Sequence, residues 1–289
     1  MASFYGSRIN PGKFSSSQLK FYCFLVPLAL FMLLPVVFII SQAFKPMDEI
    51  FRFPPTFIVN RPTLRNFRFI WSVANLTGIP LIRYLVNSVL ITLVTVSASV
   101  LLTASSAYAL SKKKFRARSS LLRLNQAALM FVPVAVAVPR YLVIVNTGML
   151  NTYAAHILPL LSMPVGLFLV KQFVDQVPDA ILEAARIDGA GEISLMTRIV
   201  FPQIGPALAT VGILCFQAVW NATESSNNYI VDESMKTFSF YLNTFAIDQT
   251  PALAGPAAAA SLIMFVPNLV IFIAMQSRVM NTMSHSGIK

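Results

Sequence analysis

An all-α membrane protein with six transmembrane helices and both termini cytoplasmic is the fold class this sequence predicts, and three observations predict it. The 289 residues are 56% hydrophobic and only 11% charged, where a soluble domain carries about 25% charged residues. Six stretches are apolar over the roughly 20 residues a helix needs to cross a bilayer. The Lys and Arg residues fall between those stretches and divide unevenly between their two ends.

The first expected span covers 21–44. Lys13 and Lys20 precede it and Ser41-Gln42-Ala43 resembles a cleavage site, but the apolar run exceeds the 7–15 residues of a signal peptide, so it reads as a retained helix. The second covers 84–110. The third, 124–139, is short and proline-bearing, with room for an interfacial helix over 141–145. The fourth, fifth and sixth cover 152–170, 204–222 and 255–276. With the amino terminus inside, fourteen of the 22 basic residues lie inside and eight outside, and the densest block, SKKKFRARSSLLR, is inside. Cytoplasmic segments carry such an excess, so the charge of +11 reads as a topology signal rather than a nucleic-acid surface. The expected domains are a cytoplasmic segment 1–20, a transmembrane body 21–280 and a cytoplasmic tail 281–289.

Cys23 and Cys215 sit inside apolar runs, and His156 and His285 are the only histidines. A disulfide framework, a metal site or a histidine-based catalytic centre therefore has little to build on. No Gly-x-x-x-x-Gly-Lys loop is present to hold a nucleotide.

Two polar lines run along the spans at helical period. Ser88, Thr92, Thr95, Ser99, Thr103 and Ser106 share one face of the second span, where small hydroxyl residues favour close helix packing over pore lining. Gln203, Thr210, Gln217, Asn221 and Glu224 line the fifth. Bulky amides are costly against lipid, so this line is either a wet pathway or a set of interhelical bonds. Trp220 beside it is either a platform for a sugar ring or an interfacial anchor. The outer loops, 45–83 and 225–254, are long, and with Pro54, Trp71 and Tyr229 they either dock an outside partner or cap the bundle.

One polar segment, 178–202, interrupts the apolar chain between the fourth and fifth spans. Pro178 suits a first helical turn, the helix runs through Ala184-Ala185, and Gly189 stops it. A second short helix, 192–200, is expected to break before Pro202. Such an element is either an ordinary connector or a docking surface for a soluble partner that tilts the flanking spans.

The order Glu183-Ala184-Ala185, Asp188-Gly189-Ala190, Ile199 and Phe201-Pro202 resembles the EAA loop of ABC importer permeases. PMDEIFRFPP with Thr63-Leu64-Arg65-Asn66-Phe67, Tyr84-Leu85-Val86-Asn87-Ser88, Ala107-Tyr108-Ala109-Leu110, Gly148-Met149-Leu150-Asn151-Thr152-Tyr153, Trp220-Asn221 and Ser286-Gly287-Ile288-Lys289 are similar to the carbohydrate-uptake permeases of the maltose-transporter type, in the smaller of two paired subunits. That resemblance implies a sugar importer of a bacterial or archaeal inner membrane, with the sugar most simply an oligosaccharide. It implies four kinds of protein: this chain, a homologous second permease, two ATPase subunits that bind MgATP, and an extracytoplasmic solute-binding protein. No cofactor, metal, catalytic residue or nucleic acid belongs to this chain in that picture.

The resemblance further implies that Glu183, Ala184, Ala185, Asp188, Gly189 and Ala190 contact one ATPase and that Gly287 reaches between the two. It makes Asn87, Gln217, Trp220, Asn221 and Glu224 candidates for the pathway lining, and Asn227, Asn228 and Tyr229 candidates for contact with the binding protein. The run Ala222-Thr223-Glu224-Ser225-Ser226-Asn227-Asn228 is more polar than the family's usual continuation. The alternatives are a secondary transporter or channel, which should carry ionisable groups in its spans, and an intramembrane enzyme or scaffold.

Overall fold

A computed structural model describes residues 19–54, 56–76, 78–247 and 250–286. The described chain is helical throughout. Its helices are α1 (Leu19–Phe44), α2 (Met47–Ile50), α3 (Arg65–Leu76), α4 (Leu81–Lys112), α5 (Arg118–Met130), α6 (Ala137–Asn146), α7 (Tyr153–Leu161), α8 (Pro164–Gln176), α9 (Asp179–Ile187), α10 (Glu192–Ser194), α11 (Phe201–Gln203), α12 (Gly205–Trp220), α13 (Glu224–Asn228), α14 (Phe238–Ile247) and α15 (Ala254–Ser286). Four helical stretches cross-qualify by length and apolarity, and six do if each of two bent pairs counts as one span. Nearly all of the expected segment 1–20 lies outside the described residues, as do Gly287, Ile288 and Lys289.

Two expected spans are broken helices. In place of one helix over 124–139, α5 and α6 meet at 110°. Val132 is extended ahead of Pro133, and a 3₁₀ turn, Pro133–Val136, follows. A residue before proline is pushed out of the α region, and proline itself has no N–H to continue the ladder. In place of one helix over 152–170, α7 and α8 meet at 44°, again just before a proline, Pro164. The freed carbonyls there find side-chain partners: Ser99 Oγ donates to Leu161 O at 3.0 Å and Asn125 Nδ2 to Pro164 O at 3.3 Å. Such substitution keeps a break tolerable at membrane depth.

The spine is α4, which at about 1.5 Å per residue is long enough to reach both ends of the bundle. Near its start, Leu81 and Tyr84 join a core with Ile70, Trp220, Tyr241, Phe245 and Ala259. Near its end, Ala107 and Tyr108 join a second core with Val170, Val174, Leu182, Leu195, Val200 and Val211. Contacts at the two ends give the direction in which the chain runs. Arg118 at the start of α5 donates to Leu110 O at the end of α4, whereas Tyr153 at the start of α7 donates to Asn87 near the start of α4. The bent α5–α6 pair therefore passes from one end to the other. Ser111 donates to Asp175, so α8 ends beside the end of α4. Counting each bent pair as one, the described helices make up to six passes.

The serine–threonine face of α4 packs inward, with Ser88, Thr92, Thr95, Ser99 and Thr103 buried and only Ser106 of the expected line exposed. By contrast, the apolar side chains of α1 between Phe21 and Leu34 are all exposed, Phe21, Phe24 and Phe31 among them. A helix apolar on every face with its sides uncovered is a lipid-facing helix.

Candidate functional site

The polar element between the fourth and fifth passes is two short helices joined at a glycine. Helix α9 starts after Pro178, which stands at the cap rather than inside the first turn, and ends at Asp188. Gly189 then takes φ +84, a left-handed turn that glycine enters without a Cβ clash. Ala190 N–H closes the turn on Ala185 O at 2.9 Å. The second arm corrects the expected break before Pro202: α10, a π-helical stretch Leu195–Val200 and α11 run without interruption through Pro202 to Gln203. Proline in an α-helix collides with the carbonyl four residues earlier. A wider π turn at that point relieves the collision and keeps the chain helical.

Helix α9 is amphipathic. Leu182 is buried and Ala185 half-buried against Val170, Val174, Leu195 and Val200. Glu183, Ala184, Asp188 and Gly189 are exposed, and Ala190 is half-buried. Beside them two residues that the sequence reading passed over stand out: Ile187 is 87% exposed and Ile193 is 75% exposed, one on each side of the glycine. Two bare isoleucines on an otherwise charged element form an apolar contact surface. The signal available in the sequence was their isolation within a polar run.

The block first read as a topology signal also has a structural task. Lys112 Nζ donates to Val177 O at 2.6 Å and pairs with Asp179 at 2.8 Å. Lys113 pairs with Glu192, which also accepts a hydrogen bond from Tyr108 Oη at 2.8 Å. Arg186 lies 3.6 Å from Glu192. Both arms of the element are thereby tied to the end of α4. The hydrogen bond from Lys112 holds the Asp179 carboxyl below the usual carboxylate range. The bonds from Lys113 and then Tyr108 do the same for Glu192.

The expected pathway residues separate into different environments. Gln217 is half-buried, and Asn221 is exposed at the end of α12, where its Nδ2 donates to Gln217 O at 2.8 Å. Asn268, on α15, donates to Asn221 Oδ1 at 3.1 Å; the sequence reading missed it, although it is a lone amide in an apolar run. Asn87 and Trp220 face inward, and Glu224 is half-buried. Asn87 is buried and uses its amide fully, donating to Ser234 O and Lys236 O and accepting from Tyr153 Oη. Trp220 is buried and stacked on Phe216 with ring centroids 5.8 Å apart, so its face is not open to a sugar. Glu224 is not on the line of α12, because that helix ends at Trp220; it pairs with Arg140 at 2.8 Å and accepts from Tyr229 Oη at 2.8 Å.

In the outer loop Asn227 and Asn228 are exposed, as an outside contact requires. Tyr229 is not: it is 2% exposed and packs with Ile144, Ala155 and Ile230. Burial, and then the bond to Glu224, push its phenol up to about 12. The loop is fastened to the turn before α7 by Asn151, at φ 55, whose Oδ1 accepts from Val231 N and Asp232 N. Buried His156 meets Ser225 Oγ at 2.7 Å beside it. Among the described residues no group of three or more His, Cys, Asp or Glu side chains is placed to hold a metal ion.

Residues 13–277 match the family model described as "Binding-protein-dependent transport system inner membrane component". The inner membrane ABC transporter permease protein YcjP of Escherichia coli is 27% identical over 94% of this chain and 97% of its own length. The arabinooligosaccharides transport system permease protein AraQ of Halalkalibacterium halodurans is 28% identical over 93% of this chain and 94% of its own. A chain in the crystal structure of a bacterial ABC transporter involved in the import of the acidic polysaccharide alginate superposes with a TM-score of 0.76. It covers 92% of this chain and 98% of that one at 19% identity, and it supports the fold alone.

Proposed function

This chain belongs to the binding-protein-dependent transport system inner membrane components, and from that membership we propose that it is one permease subunit of an ATP-driven importer for a sugar, most simply an oligosaccharide. It forms half of the translocation pathway beside a homologous second permease. Two partner ATPases bind and hydrolyse MgATP, and a solute-binding protein delivers cargo from outside. The chain itself is not a catalyst.

The end of the bundle that carries α9, Lys112 and Lys113 faces the cytoplasm, since the basic excess belongs there. The observation that carries this reading is the glycine-hinged element itself, which presents Glu183, Ala184, Asp188, Ile187 and Ile193 outward while its other face is locked to the end of α4. Helix α8 leads into it and α12 leads out. A push on α9 therefore moves three passes together: α8 and α12 through the chain, and α4 through the two lysine pairs. An ATPase shifts the packing of those passes only if it docks differently on the element in its ATP and post-hydrolysis states.

Glu183→Arg and Ile187→Asp are expected to lower sugar uptake by reconstituted complex at least tenfold, with membrane insertion of the chain unchanged. Both residues are exposed, so neither change disturbs the core. Normal uptake and normal ATPase copurification in both variants would remove the coupling role.

A further inference from the structure

A cavity of about 390 Å³ opens where the end of α12 meets α14 and α15. Its polar lining consists of amides and hydroxyls: Asn221 and Thr223 beyond α12, Ser239 and Asn243 on α14, and Ser261 and Asn268 on α15. Ser261, Met264, Phe265 and Asn268 follow at helical spacing, so one stripe of α15 forms its wall. No charged side chain lines it among the described residues.

Three amides do not collect at one place in an apolar bundle by accident of packing. An amide facing hydrocarbon costs several kcal/mol, so Asn268, within α15, calls for a polar partner on both ends of its amide. The internal bonds here are incomplete. Asn268 Nδ2 donates to Asn221 Oδ1 at 3.1 Å and to Met264 O at 3.0 Å, while its own Oδ1 has no partner. The volume falls in the range of small-molecule sites, about 300–1,000 Å³.

We propose that this cavity is a transport subsite for a neutral sugar, in which Asn243 and Asn268 exchange hydrogen bonds with ring hydroxyls while Phe265 lies against the apolar face of the ring. The inference rests on the importer reading and adds the charge class of its cargo. An arabinooligosaccharide and an acidic polysaccharide stand at opposite ends of the charge range, and family membership does not choose between them. The lining does. Amides donate and accept in pairs, as hydroxyls do, but they supply no counter-charge for a carboxylate taken out of water, and such a carboxylate is strongly penalised.

The complete complex of this chain with its partner permease, ATPases and binding protein is reconstituted in proteoliposomes. A mixture of neutral oligosaccharides and a mixture of oligogalacturonates are offered, and imported sugar is identified by mass spectrometry. Neutral sugars are expected to enter and oligogalacturonates to be excluded. Asn243→Ala and Asn268→Ala are each expected to cut neutral uptake about tenfold, the loss of one or two buried hydrogen bonds. Copurification of the partners, and ATP hydrolysis stimulated by sugar-loaded binding protein, should stay near the wild-type level.

Entry of oligogalacturonates, or wild-type uptake in both variants, overturns the subsite. So does a parallel loss of assembly, ATP hydrolysis and uptake, since the amides would then serve packing alone; Asn268→Asp, nearly isosteric, repeats that comparison with the shape kept. Import of neither class by an intact complex would instead remove the importer reading, which separates the two failures.

Discussion

At the scale of single residues the sequence supplied the polar side chains but not their orientation. Asn87 and Asn221 are alike in type and both sit near a helix end, yet one is buried among carbonyls from 234 and 236 and the other is exposed. Those carbonyls are about 150 positions away, and no local pattern carries that information. Glycines are more legible. Gly189 falls where a helix must stop, and a left-handed φ is found there. Gly255 is the opposite case, because its need is tertiary: a Cβ built on it would sit 2.6 Å from Asn66 Oδ1. Asn66 cannot retreat freely, since its Nδ2 holds Ala43 O and Lys45 O at 2.9 Å each. Gly255→Ala is therefore expected to part α3 from α15 and destabilise the purified protein by about 1–3 kcal/mol, read as a lower thermal midpoint. Gly205→Ala, with nothing within 4 Å of the added carbon, is the control that should leave the midpoint near its original value.

At the scale of elements, passes one, two, five and six were legible because each is a long apolar run. The third and fourth passes were not, because apolarity says nothing of direction. Pro133 and Pro164 marked the breaks, but whether a proline bends a helix by a little or by 110° depends on what occupies the space beyond it. The polar element was legible in outline, its glycine turn included. Its continuation through Pro202 was not, since a π turn depends on packing against α8 and α9 rather than on residue type. The lysine braces lend this element a definite pH behaviour. A carboxylate whose folded pKa is depressed contributes stability that is complete above its unfolded value and lost as the pH falls through the folded one. Asp179 and Glu192 are both depressed. The element is thus expected to keep its full amide-exchange protection across the neutral range and to lose it only below about pH 4, the ordinary carboxylate value. Loss of protection over 178–203 already at pH 6, after correction for intrinsic exchange, would show that the pairs with Lys112 and Lys113 do not hold it.

At the scale of the molecule, contacts with the two ends of α4 place Ile187 and Asn227 at opposite ends of the bundle. With Cys23 and Cys215 replaced, a cysteine at 187 should react with a membrane-impermeant maleimide only in inverted vesicles, and one at 227 only in right-side-out vesicles. Labelling of both from the same side would break the six-pass arrangement. Membership of the transport family and the lipid setting follow from composition and motif order, because those properties are sums over the chain. Hydropathy is additive along a helix, and so the sequence by itself determined which segments are apolar enough to cross a membrane, that they are helical, and where the polar element interrupts them. Hydrogen-bond satisfaction is not additive. Whether an asparagine or a tryptophan faces a cavity or a carbonyl depends on partners brought from distant helices, and the packing of α12, α14 and α15 decided that Asn221, Asn243 and Asn268 share one wall while Asn87 and Trp220 are closed within the protein.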